Sequence, residues 1–106
     1  MNTDNAKEMI VENTIKNYLF NARSDLKYKC DFIMKLCEEL YEERYEFDLV
    51  LRKNDPQKDV KDLIKIIKKI NGIAEEVEEE SLTLLSLSSS IYDNLKAMAL
   101  SLAGLE

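Results

Sequence analysis

Apolar residues recur along the chain in alternating steps of three and four. From Leu26 they run Leu26, Cys30, Ile33, Cys37, Leu40, Arg44, Phe47 and Leu51, with Arg44 the one charged member. Such spacing keeps one face of an α-helix apolar and forms the heptad seam of helices that pack lengthwise. Upstream, Val11, Ile15, Leu19, Ala22 and Leu26 continue the row. Two consecutive steps of four, from Ala22 through Leu26 to Cys30, make a stutter that unwinds a supercoil locally without ending the helix. Asn21 and Ser24 are capping residue types and mark the same place as an alternative break.

Asn54-Asp55-Pro56 must stop this pattern. Proline pushes the residue before it out of α geometry, and Asp55 is suited to cap a helix with Pro56 in its first turn. The elements are therefore a helix over 4–53, a turn at 54–56 and a helix over 56–105. The second helix carries the seam Val60, Leu63, Ile67, Ile70, Ala74, Val77, Ser81, Leu84, Ser88, Ile91, Leu95, Met98, Leu102, Leu105 in one phase. Lys68 and Lys69 before Asn71-Gly72, with Glu75 and Glu76 after, would also suit a helix end and a new start. An unbroken phase across a loop would be coincidence, whereas glycine inside a helix costs only about 1 kcal/mol. One long helix, bent at Gly72 if anywhere, is the expectation, and a break into three helices is the alternative.

Folding back at the turn brings the seams into register when paired residue numbers add to 110 or 111. Leu51 then meets Val60, Phe47 meets Leu63, Arg44 meets Ile67, and the layers continue to Leu26 with Leu84. The fold class is all-α, a single domain built as a long antiparallel helical hairpin. Phe32, Met34, Leu36, Leu85, Leu87 and Tyr92 lie beside the seams and widen the apolar stripe beyond what two helices can cover. Dimerisation into a four-helix bundle would cover them, and a heteromeric protein partner would serve the same end. With Arg44, whose charge can set register or partner choice, these residues form the expected interaction surface.

Composition narrows the chemistry. Among 106 residues 34% are charged, with two Gly, one Pro and no Trp, which agrees with an all-helical class. A net charge of −6 disfavours nucleic acid and anionic membrane as partners. The polar start Met1-Asn2-Thr3-Asp4 has no signal-peptide character, and Asp93 and Lys96 interrupt the most apolar segment, so a cytoplasmic location is expected. Cys30 and Cys37 stand two helical turns apart, roughly 10 Å, too far to bridge each other, and are expected as reduced core residues. Without any histidine the chain lacks the usual general base and most zinc chemistry.

Residues 81–92 hold five serines and no charge, a composition that suits close helix contact. Lys58, Lys61, Lys65 and Lys68 are interleaved with Asp59 and Asp62 and read as a solvated mixed face. Glu38, Glu39, Glu42, Glu43 and Glu46 read as another, with Lys35 placed to pair along the helix. The segment Lys35-Leu36-Cys37-Glu38-Glu39-Leu40-Tyr41-Glu42, followed by Asp59-Val60-Lys61-Asp62, resembles the MazG-like all-α nucleoside triphosphate pyrophosphohydrolases. Those enzymes hold magnesium with Glu-Glu-x-x-Glu on one helix and Glu-x-x-Asp on the next, and Asp59 stands where the pattern has Glu. The resemblance covers about a quarter of the chain and implies Glu38, Glu39, Glu42, Asp59 and Asp62 as magnesium ligands. The hairpin register instead sets Glu42 roughly 9 Å along the axis from Asp62. The expected function is a non-enzymatic protein–protein interaction or assembly module without cofactor: an adaptor, chaperone, complex subunit or small inhibitor.

Overall fold

The computed structural model describes residues 2–53 and 55–105, except the side chains at 2–4 and 105. Asn54, at the centre of the expected turn, lies outside the described residues, and so does the side chain of Leu105, the last expected seam residue. Two helices account for the described chain, α1 over Asn2–Arg52 and α2 over Pro56–Leu105, and no strand occurs among the described residues. Helix α1 contains neither glycine nor proline and continues through Asn21–Ser24. Helix α2 continues through Gly72, where an added Cβ would meet nothing within 4 Å. Glycine there serves no close approach, and its cost is the backbone entropy of an exposed helical position.

Capping sets the turn. The amide of Lys53 donates to the carbonyl of Val50 at 3.1 Å, a tightened last turn that uses one of the carbonyls a helix end leaves open. The amide of Asp59 donates to the carbonyl of Asp55 at 2.8 Å, and the Asp59 carboxylate accepts from the Asp55 amide at 2.9 Å. Asp59 is thereby buried to 8% exposure with its charge satisfied by the backbone it closes. The Asp59 carboxylate thus does on Asp55 what a capping box does from the first helical turn.

The described chain falls into two compact units. In the unit formed by residues 30–83, the second half of α1 and the first part of α2 make an antiparallel hairpin. Its most buried apolar residues are Leu36 and Val50, at 4% and 6% exposure. Ile33, Leu40 and Phe47 on α1, and Leu63, Ile66, Ile70, Ile73 and Val77 on α2, are half-buried. Lys69 Nζ meets Glu43 Oε1 at 3.2 Å, a pair whose numbers add to 112, one or two beyond the expected register.

In the unit formed by residues 1–29 and 84–106, Ala22 is buried, and Val11, Ile15, Leu26, Leu84, Leu87, Ile91 and Met98 are half-buried. Asn94 Nδ2 donates to Tyr18 Oη at 2.9 Å.

The seams differ from expectation in one of their two rows. The row Leu26, Ile33, Leu40, Phe47 is as read, and so is Leu63, Ile70, Val77, Leu84, Ile91, Met98. The companion row is shifted by one residue. Leu36 and Val50 are buried and Glu43 half-buried, while Cys37, Leu51 and Arg44 are exposed. On α2 the inward positions are Ile66, Ile73 and Leu87, with Ile67, Ala74 and Ser88 outside. Similarly, Tyr18 is half-buried and Leu19 is 44% exposed.

An apolar stripe three positions wide admits two three-four selections that share a row. The larger side chains Leu36, Ile66, Ile73 and Leu87 decide between them, since they bury more area than Cys37, Ala74 and Ser88. The charges this phase places inward find partners, Glu43 in Lys69 and Asp59 in the Asp55 amide.

Candidate functional site

The expected interaction residues divide in the structure. Leu36 belongs to the hairpin interior, and Phe32 and Leu87 are half-buried. Met34 and Leu85 remain outside at 62% and 61% exposure. Tyr92 is also outside, and Lys96 Nζ stands 5.2 Å from its ring centroid, a cation–π contact at the surface. Arg44 is exposed, so no charge of its own occupies an apolar layer. Cys30 and Cys37 are free and exposed, which corrects the expectation that they lie in the core; the shifted row turns them outward.

Serines 81, 86, 88, 89 and 90 are all exposed on continuous helix and do not line the intramolecular contact. Ser88 donates to the Leu85 carbonyl at 3.0 Å and nearby Thr83 to the Glu79 carbonyl at 3.0 Å, the local bonding by which such hydroxyls stay satisfied in a helix.

The two flanks of the 30–83 hairpin have different chemistry. One is a shallow groove lined by Glu42, Glu43 and Glu46 of α1 and Lys65, Ile66 and Lys69 of α2, with Tyr41 and Tyr45 at its edge. The Lys69–Glu43 pair crosses it. Successive residues turn by 100° in a helix, so positions one past the buried row lie on the opposite flank. There α2 carries Val60, Ile64, Ile67 and Ala74, and α1 carries Cys37 and Leu51. Val60, Ile64 and Leu51 are more than half exposed, and Ile67 is 42% exposed. The second unit holds a shallow apolar trough between the helices, bordered by Ile10, Val11, Ile15, Ala97 and Met98.

Among the described residues no group of three or more potential ligands stands close enough to hold a metal ion, so Glu38, Glu39, Glu42, Asp59 and Asp62 are not brought together. Asp59 is occupied in the turn. Among the described residues no helix is long and apolar enough to cross a membrane. Comparison with protein-family models, with curated proteins and with solved structures returned no match.

The Asp59 cap and the one-sided apolar flank escaped the sequence reading. An acidic residue four beyond Asp55 was a visible signal for the cap. The flank required knowing which row faces inward.

Proposed function

We propose that this chain is a non-enzymatic helical protein–protein interaction or assembly module, of the kind used as an adaptor, chaperone, complex subunit or small inhibitor. One observation carries the reading. Among the described residues the large apolar side chains Met34, Ile64, Leu85 and Leu100 are each more than half exposed. Among the described residues only Ala22, Leu36 and Val50 are buried apolar side chains, so most of the apolar stripe is left without full cover. A second helical protein surface supplies the rest, most simply a twofold copy completing a four-helix bundle. Two exposed free thiols suit a reducing compartment such as the cytoplasm.

The test is the size of the chain in its native setting. Extracted gently at its natural level, it is expected in a species well above 12.3 kDa. A folded chain migrating alone at that mass would overturn the proposal.

A further inference from the structure

We propose that the apolar flank of the 30–83 hairpin, formed by Cys37 and Leu51 of α1 and Val60, Ile64, Ile67 and Ala74 of α2, is the contact surface for a second copy of this chain. The inference rests on the interaction-module reading and names the face and its occupant.

Sidedness selects the face. In the opposite groove Glu42, Glu43 and Glu46 of α1 stand beside Lys65 and Lys69 of α2, and the Lys69–Glu43 pair bridges the helices there at 3.2 Å. On that side one ion pair joins the helices and Glu42, Glu46 and Lys65 add further charge, which water solvates. Because those flanks lie together, the flanks on the far side also lie together. They carry Leu51 at 53%, Val60 at 56%, Ile64 at 52% and Ile67 at 42% exposure. Isoleucine and valine exposed on consecutive turns of one flank form a contiguous strip, unlike the scattered apolar residues usual on a surface.

Charge and spacing select the occupant. The chain carries −6 overall, so two copies repel unless they meet where that charge is absent. Along residues 37–51 and 60–74 of this flank the charged side chains are Arg44 and Asp48, opposite in sign and one turn apart on α1. The patch is therefore neutral and can face itself without repulsion. A twofold axis can set Arg44 of each copy against Asp48 of the other. A partner chosen by charge would need a face of one sign, and this face has none. The strip repeats in steps of three and four, the ridge spacing that a second copy of itself interdigitates with.

The experiment is sedimentation equilibrium on the purified full chain. Wild type is expected at twice 12.3 kDa at micromolar concentration. The double variant Ile64→Glu/Ile67→Glu is expected to weaken association by about 100-fold or more, because two buried charges would face each other unpaired. Lys65→Glu, in the charged groove, should change it by less than about threefold.

A second measurement does not depend on a disruptive variant. In Cys30→Ser chain, thiol labelling at Cys37 should slow by roughly tenfold between nanomolar and micromolar protein as the dimer covers it. A wild-type monomer throughout the micromolar range, or a dimer sensitive to Lys65→Glu and not to the isoleucine pair, would overturn the proposal. So would Cys37 labelling that does not vary with concentration. A purified monomer from a chain that occurs in a larger native complex would overturn this face and occupant while leaving the module reading intact.

Discussion

Leu36 and Cys37 are neighbours on α1, and exchanging which of them faces inward exchanges the whole companion row. Leu36 is 4% exposed, and Cys37 is exposed. Leu36→Ala removes a buried isobutyl group, a change that costs 2 to 5 kcal/mol in a full core. A two-helix contact encloses its residues less completely and can collapse onto a small cavity, so about 2 to 3 kcal/mol is expected. Cys37→Ala, at the more exposed position, should cost less than about 1 kcal/mol. With a urea slope of about 1.5 kcal/mol per molar, Leu36→Ala lowers the unfolding midpoint by about 1 to 2 M and Cys37→Ala by a few tenths. Helical ellipticity against urea reads both, at one fixed protein concentration because an associating chain gains stability by mass action. If Cys37→Ala were the more damaging of the two, the inward row would be Cys30, Cys37, Arg44 and Leu51, and the flank assignments would be wrong.

Gly72→Ala should stabilise the chain by about 1 kcal/mol, since a Cβ there meets nothing and α2 is helical through it; a loss of stability in thermal melting would mean that the helix breaks at that point. Asp59→Ala should cost about 1 to 2 kcal/mol by leaving the Asp55 amide without its acceptor, read as a lower melting temperature, and an unchanged value would show the cap to be dispensable. Offered a panel of nucleoside triphosphates with magnesium, the chain is expected to release no pyrophosphate, and turnover abolished by Glu39→Ala or Asp62→Ala would replace the binding reading with the hydrolase one.

Much of the fold is legible in the sequence because its strongest signals are local. Pro56 and the long runs without glycine or proline place both helices within two residues of their observed limits. The shared rows, Leu26 to Phe47 and Leu63 to Met98, follow from spacing alone. The companion rows do not, because choosing between Leu36 and Cys37, or Ile66 and Ile67, depends on what the other helix presents. Glu43 looks unsuited to an inward position until Lys69 is set beside it, and Asp59 until its carboxylate is seen closing the Asp55 amide. Those are relations across a turn or between helices, and a one-helix pattern carries no trace of them. The exposed surface follows the same choice of row: Leu36, counted outside by spacing, is interior, while Val60, Ile64 and Ile67 form the exposed strip.

If a second copy of this chain covers its apolar surface, as proposed, the unfolding midpoint depends on protein concentration. For a dimer that unfolds as it dissociates, each tenfold rise in concentration adds about 1.4 kcal/mol to the stability of the folded state, so the midpoint in urea or heat should climb steadily across a dilution series. A midpoint that stays fixed over that series, in a cooperatively folded helical chain of 12.3 kDa, would contradict it.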